Sequence, residues 1–128
     1  MTISTITLPL PPSANRMYRR AGGHMHKSTE YRAWLDNAMR VVAASWDPPA
    51  LEWYGLGITL PPTRRDPDNS IKALSDALQA GGAVVNDRML RTLILTVDDN
   101  RAPEDGVLLT LWGVDAPAKK VKRRARKT

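Results

Sequence analysis

Residues 51–97 read LEWYGLGITLPPTRRDPDNSIKALSDALQAGGAVVNDRMLRTLILTV, and the predicted fold depends on this stretch. It begins with an apolar run that predicts a strand, which Pro61 and Pro62 close. Apolar side chains then recur at helical spacing at Ile71, Leu74, Ala77 and Leu78. Gly81-Gly82 ends this helix, and residues 90–97 predict another strand. The stretch therefore predicts a strand, a helix and a strand in succession.

The flanking segments add two strands and a helix. Residues 3–8 alternate in the manner of a strand, whereas residues 11–27 predict a loop rich in turn-forming residues and cations. Ser28 is a suitable N-cap for a helix that runs to about Trp46. The apolar positions of this helix are Tyr31, Trp34, Leu35, Ala38 and Val42. Residues 107–114 predict a last strand, paired as a hairpin with residues 90–97 across the polar loop DDNRAPEDG.

This order of elements, β-α-β-α-β-β, predicts a mixed β-sheet with helices packed on it, an α/β (α+β) domain. At 128 residues the chain has room for one hydrophobic core. We therefore predict a single domain over residues 1–116 and a basic, disordered C-terminal tail over residues 117–128.

The net charge of +6 arises in this tail. The last ten residues contain no acid and carry the seven cations Lys119, Lys120, Lys122, Arg123, Arg124, Arg126 and Lys127. The rest of the chain has 12 basic and 13 acidic side chains and is nearly neutral. Nucleic acid is the commonest partner of such a terminal basic segment, and a solubilising role is the alternative.

The composition restricts the kinds of site that the chain can form. Cysteine is absent, which excludes disulfides and thiolate metal sites, so a metal ion would be held by oxygen or imidazole ligands. No apolar run approaches the roughly 20 residues that span a membrane. The N-terminus also lacks the basic region of a signal peptide. We therefore expect a cytoplasmic protein with no membrane partner.

The densest cluster of reactive side chains is RRDPDN at residues 64–69. Lys72 lies four residues after Asp68, and one helical turn would place both side chains on the same face. Asp87 follows where the chain has turned back. Asp66, Asp68 and Asp87 would repel one another unless a cation lay among them, and Mg²⁺ prefers such oxygen ligands. A site of this kind can activate water for phosphodiester hydrolysis, with Lys72 close to the scissile phosphate.

Each of these residues also has a structural interpretation. Asp68 is a good N-cap, and Asp-Pro-Asp-Asn is a common turn sequence. Lys72 fits a solvated helix position, and Asp87 fits a turn beside a strand. The residues alone leave both interpretations open.

Two motifs in the chain resemble those of the RusA family of Holliday-junction resolvases. One is D-x-D-N-x-x-K, followed by an aspartate about fifteen residues after the lysine. It is matched by Asp66, Asp68, Asn69, Lys72 and Asp87. The other is P-P-S-x-N-x-x-Y-R, which is matched by Pro11, Pro12, Ser13, Asn15, Tyr18 and Arg19. The resemblance covers about residues 7–97.

The resemblance implies a homodimeric, Mg²⁺-dependent endonuclease that nicks two opposing strands of a four-way junction during DNA recombination and repair. It implies that Asp66, Asp68 and Asp87 ligate Mg²⁺ and that Lys72 is required for cleavage. It also fits a bacterial or phage-encoded protein. A C₂ dimer suits the two-fold symmetry of a junction. The alternatives are a non-catalytic DNA-binding protein of the same fold and a nuclease selective for forks, flaps or RNA.

The cationic stretch over residues 13–32 is the predicted DNA-phosphate surface, and an ordinary solvated loop is its alternative. The cations assigned to DNA are Arg16, Arg19, Arg20, Lys27, Arg64 and Arg65. Tyr18 is the aromatic side chain expected to contact a base. The predicted DNA-binding set also includes Asn15 and Asn69 of the two motifs and the tail residues Lys119, Lys120, Lys122, Arg123 and Arg124.

Overall fold

A computed structural model of the chain describes residues 2–118, apart from the side chains of Ala14 and Asn15. Its elements are β1 (Ile3–Leu8), α1 (Ala14–Met17), β2 (Tyr18–Ala21), β3 (His24–Lys27), α2 (Thr29–Ser45), β4 (Tyr54–Leu60), α3 (Ile71–Ala80), β5 (Leu90–Val97) and β6 (Val107–Gly113). The predicted tail cations lie outside the described residues, so the predicted disorder of the tail stays a prediction.

The main sheet has four strands in the order β1-β6-β4-β5. β4 pairs parallel with β5 and antiparallel with β6, and β6 pairs antiparallel with β1. The sheet is therefore mixed, which confirms the predicted fold class and the order of its main elements.

The predicted hairpin between β5 and β6 is wrong, because β4 lies between these two strands. Tyr54, Leu56, Ile58 and Leu60 of β4 are almost completely buried, and Gly55 is buried as well. A strand this apolar gains most when it has a partner on each edge. Alternation along a strand shows which side chains are buried, but it does not specify the neighbouring strand.

Helices α2 and α3 pack together over one face of this sheet. The Ser28 side chain caps α2 as predicted, accepting a hydrogen bond from the Tyr31 amide at 3.0 Å. The helix α3 ends at Gly81-Gly82, also as predicted, and Gly82 has a φ of 85°. No helix within residues 2–118 is long and apolar enough to cross a membrane.

The segment predicted as a loop over residues 11–27 contains the short helix α1 and a separate hairpin of β2 and β3. Gly22 and Gly23 form its turn, with φ values of 59° and 80° that favour glycine. Nearly all of the hairpin is exposed, so its sequence lacks the apolar alternation that indicates a strand. The prediction failed for that reason, and the Gly-Gly pair was the available signal.

Candidate active site

Asp66 and Asp68 lie in the segment that follows the C-terminal end of β4. Asp66 precedes a 3₁₀ turn, Pro67–Ser70, and its carbonyl accepts a hydrogen bond from the Asn69 amide at 3.1 Å. The turn interpretation is therefore correct for the backbone. The N-cap interpretation of Asp68 is wrong, because neither the 3₁₀ turn nor α3 has a side-chain cap. Both carboxylates are exposed, and within residues 2–118 neither forms a hydrogen bond or ion pair.

Asp87 lies at the opposite end of the β4–α3–β5 unit. It begins a 3₁₀ turn just before β5, and its amide donates a hydrogen bond to the Gln79 side chain at 3.1 Å. Leu90, three residues later, pairs with Tyr54 at the start of β4. Burial raises the pKa of the Tyr54 hydroxyl, and the negative charge of Asp87 raises it further. The Asp87 carboxylate is therefore close enough to affect the Tyr54 hydroxyl, at the end of the sheet where β4 begins.

The three predicted ligands do not form one group within one copy of the chain. Asp66 and Asp68 precede α3, whose ten residues extend for about 15 Å, and the Asp87 amide bonds to Gln79 in the last turn of the helix. No three His, Cys, Asp or Glu side chains of the described part are grouped so that they could hold a metal ion. As a set of oxygen donors, the residues suit Mg²⁺. Their role as metal ligands stays a prediction.

Lys72 is directed along α3 toward Asp76. Its ammonium forms an ion pair with the Asp76 carboxylate at 2.9 Å. The hydrogen bond from Lys72 to Asp76 raises the pKa of Lys72; desolvation opposes this effect, and the charges of Asp76, Tyr18 and Asp87 add to it. Asp68 is not its partner, because Asp68 belongs to the preceding 3₁₀ turn and the helical spacing starts only at Ile71.

Lys72 and Asp87 share an open cleft between α3, the hairpin of β2 and β3, and the start of β5. We call it the Lys72 cleft. Its charged and phenolic side chains are Tyr18, Lys27, Lys72, Asp76, Asp87 and Arg88. Asp76 was not among the residues predicted from the sequence, although its position four residues after Lys72 was the available signal.

The predicted DNA-binding cations lie in different environments. Arg19 and Arg20 are exposed on β2 and, together with Arg16, line a groove at the start of α2. Arg16 also lies 3.8 Å from Glu30. The guanidinium of Arg65 donates a hydrogen bond to the Pro11 carbonyl, so it joins two loops.

The remaining predicted DNA contacts differ in exposure. Arg64, Asn69 and Lys27 are exposed, and the Lys27 ammonium lies 5.7 Å from the centre of the Tyr31 ring. Tyr18 is partly buried, with its ring edge-on to Tyr31. The Asn15 side chain lies outside the described part.

Known proteins match most of the chain. The sequence model of the family described as "Endodeoxyribonuclease RusA" matches residues 9–108. A protein named "Crossover junction endodeoxyribonuclease RusA" from Escherichia coli O139:H28 (strain E24377A / ETEC) is 34% identical over 101 residues, which cover 70% of this chain and 78% of that protein.

Two further relatives carry the same name. That of Escherichia coli (strain K12) is 35% identical over 98 residues, covering 68% of this chain and 76% of the relative. That of Enterobacteria phage 82 is 37% identical over 93 residues, covering 64% of this chain and 72% of the relative. The family match includes both ends of α3 and therefore all four predicted catalytic residues.

Proposed function

This chain belongs to the RusA family of endodeoxyribonucleases, and from that premise we propose that it resolves four-way DNA junctions by paired, symmetric, Mg²⁺-dependent nicks. The relatives are named as crossover junction endodeoxyribonucleases, in bacteria and in a phage. The observation that carries the proposal is the coincidence of this family match with acidic side chains that have no structural partner within residues 2–118. Cytoplasmic DNA is the expected substrate, and recombination and repair are the expected processes.

Asp66, Asp68 and Asp87 would hold the metal ion. A buried or capping carboxylate is usually occupied by hydrogen bonds, whereas the exposed carboxylates of Asp66 and Asp68 have their acceptor positions open to a cation. When bound, Mg²⁺ would polarise the scissile phosphate and lower the pKa of the attacking water. Asn69, beside Asp68, would contact the adjacent DNA backbone.

Lys72 would bind the scissile phosphate. Its side chain is 62% exposed, and the neighbouring Asp76 and Asp87 keep the ammonium protonated because they raise its pKa. Phosphate oxygens gain negative charge in the transition state, and a lysine at this place stabilises that charge. Lys27, from the hairpin, adds a second cation to the same cleft.

The hairpin of β2 and β3 and the start of α2 would carry most of the DNA-phosphate contacts. Tyr18 and Lys27 are paired in the hairpin and both line the Lys72 cleft. Arg19 and Arg20 instead line the groove that they share with Arg16. DNA in the cleft would therefore meet Lys27 of the hairpin, and DNA in the groove would meet the three arginines.

We propose that the active enzyme is a homodimer formed through β5. This strand is at the edge of the sheet, so one row of its backbone donors and acceptors has no strand partner within residues 2–118. It exposes three large apolar side chains: Leu93 is 39% exposed, Ile94 53% and Val97 41%. Exposed edge strands usually carry lysine or proline that prevents pairing, but Arg91 is the only charged residue of β5.

Antiparallel pairing of β5 with the β5 of a second copy would also complete the metal site. The end of β5 lies beside the end of β4, because Val97 pairs with Leu60, and the segment with Asp66 and Asp68 follows there. Asp87 lies just before the other end of β5. A two-fold axis through the middle of the strands places these ends next to each other. Each site would then combine Asp66 and Asp68 with Asp87 of the partner subunit.

A second candidate function is non-catalytic binding of branched DNA, or cleavage of forks and flaps instead of four-way junctions. The same cationic surfaces would serve these substrates, because phosphate contacts carry no information about sequence. The basic tail would then contribute affinity for any of them.

Cleavage of a labelled mobile four-way junction with Mg²⁺ tests the proposal, with linear duplex and forked DNA beside it. We expect paired symmetric nicks in the junction, and their loss in Asp68→Asn without loss of binding. Asp36→Asn is the matched control, because Asp36 is an exposed aspartate on α2 whose partner is Arg40. Tight junction binding without cleavage would favour the second candidate, and normal cleavage by Asp68→Asn would remove Asp68 from the site.

A further inference from the structure

Asp76 joins Lys72 to the hydrophobic core. One carboxylate oxygen, Oδ1, accepts a hydrogen bond from the Lys72 ammonium at 2.9 Å. The other, Oδ2, accepts a hydrogen bond from the Tyr31 hydroxyl at 2.6 Å. The Asp76 side chain is 20% exposed and that of Lys72 is 62% exposed, so the pair extends from the core to the cleft. Asp76 is therefore held from behind and contacts Lys72 in front.

Helix stability is a weak explanation for this ion pair. Pairs spaced by four residues stabilise a helix only slightly, and the order acid-then-base is the better one. Here Lys72 precedes Asp76, which is the less favourable order. On α2 the pair Asp36–Arg40 has the favourable order and is fully at the surface. The Lys72–Asp76 pair differs from it because a buried phenol holds the acid.

The Tyr31 phenol is a rigid anchor. Its side chain is completely buried, and its ring stacks on Trp34 at a centroid distance of 6.3 Å. Its amide is bonded to the cap residue Ser28. The ring also contacts Tyr18 edge-on, and the Lys27 ammonium lies over it. One tyrosine therefore connects α2, α3 and the hairpin behind the cleft.

We propose that Asp76 is a positioning residue that, anchored by the Tyr31 hydroxyl, holds the Lys72 ammonium in the cleft beside Asp87. This inference rests on the proposed role of Lys72 in cleavage. A lysine side chain has four rotatable bonds and a large rotamer entropy, so a Lys72 without this contact would sample many conformations in water. An ammonium that is already ordered binds the phosphate without a further loss of conformational entropy. In this role Asp76 acts through Lys72 and not on the reacting atoms.

Asp76→Asn tests this role with little change in shape. The amide oxygen of asparagine still accepts the Tyr31 hydrogen bond, whereas the negative charge that holds Lys72 is lost. We expect kcat for junction cleavage to fall roughly 10- to 100-fold, because a small misplacement of a catalytic group has effects of that size. Junction Kd should change by less than about twofold, since Lys72 is one of many cations on the DNA surface. Asp36→Asn should leave kcat and Kd unchanged, and Asp76→Glu should restore part of kcat.

The ¹⁵N signal of the Lys72 ammonium gives a readout that does not depend on cleavage. The titratable groups facing it are Tyr18, Lys27, Tyr31, Asp76, Asp87 and Arg88. Because Asp76 raises the pKa of Lys72, Asp76→Asn should lower it, and Asp36→Asn should not. Tyr31→Phe removes only the anchoring hydroxyl. It should reduce kcat in the same direction, with no further loss when it is combined with Asp76→Asn.

A normal kcat in Asp76→Asn would overturn the inference, and so would a Lys72 pKa equal to that of the wild type. Failure of the proposed function looks different. In that case Lys72→Ala or Asp68→Asn would cleave normally, or the wild type would not cleave junctions, while the Lys72 signal would still respond to Asp76→Asn.

Discussion

Mixed dimers provide the sharpest test of a metal site shared between two subunits. Two differently tagged chains, one with Asp68→Asn and one with Asp87→Asn, are co-expressed, and the heterodimer is isolated through both tags. If each site combines Asp66 and Asp68 of one subunit with Asp87 of the other, one site of the heterodimer carries both substitutions. The second site carries neither and remains intact. If each site belongs to one subunit, both sites are defective.

The separation of the predicted ligands along α3 is the reason to expect a shared site, and the number of intact sites sets the expected nicking rate. Ligands of one Mg²⁺ ion lie about 2.1 Å from it, so two ligating oxygens are at most about 4 Å apart. Asp68 precedes the ten residues of α3, which extend for about 15 Å, and the Asp87 amide bonds to Gln79 in the last turn of this helix. Within residues 2–118 of one copy, the three carboxylates are not grouped so that they could hold a metal ion. One intact site of two predicts a nicking rate about half that of the wild type, without paired cuts.

The assay measures nicking of a labelled four-way junction by the heterodimer and by both mutant homodimers. We expect the homodimers to be inactive and the heterodimer to produce single nicks. An Asp66→Asn/Asp68→Asn heterodimer is the control, because both substitutions lie at the same end of α3 and damage both sites in either arrangement. An Asp68→Asn/Asp87→Asn heterodimer as inactive as its homodimers would refute the shared site.

Three further predictions concern the dimer, the core and the tail. Ile94→Lys should convert the proposed dimer to a monomer at micromolar concentration and abolish cleavage. The control is Ile3→Lys on the other edge strand, where Ile3 is 60% exposed, and this change should affect neither property. Analytical ultracentrifugation measures the oligomeric state, and the junction assay measures cleavage. An unchanged dimer in Ile94→Lys would show that β5 is not the interface. Tyr54→Phe should raise the free energy of unfolding by about 1 kcal/mol in urea titrations, because the buried Tyr54 hydroxyl has no hydrogen-bond partner within the described residues; a decrease would contradict this. Deletion of residues 118–128 should flatten the salt dependence of junction binding, with a slope change of up to about 0.9 for each phosphate that the tail neutralises, and an identical slope would show that the tail does not touch DNA.

Local patterns in the sequence predicted the elements of the main sheet and the long helices. The spacing of Tyr31, Trp34 and Ala38 and the cap at Ser28 were sufficient for α2, because helical contacts and caps involve residues within a few positions of each other. Packing between strands is not local: the Trp112 indole of β6 occupies the space where a side chain at Gly55 of β4 would lie. The hairpin of β2 and β3 was missed because an exposed hairpin has no buried face to produce a pattern.

Local patterns also selected side chains of the candidate site but not their partners. Residue type and motif predicted Asp66, Asp68, Lys72 and Asp87. Within the described part of the structure, the carboxylates of the first two form no hydrogen bond or ion pair. Asp76 was not selected, because its importance depends on the Tyr31 hydroxyl, which lies 45 positions away in the chain. A contact of that kind exists only when α2 and α3 pack together.

The sequence by itself determined the strands of the main sheet and its two long helices, the set of candidate catalytic side chains, and the family that the chain resembles. All of these depend on residue types and short spacings. Only the tertiary structure decided that β4 separates β5 from β6, that Lys72 faces Asp76, and that α3 holds the predicted ligands apart within one copy. Strand order and the two ends of a β-α-β unit are set by packing between distant segments, and apolar alternation is the same whichever neighbours a strand has.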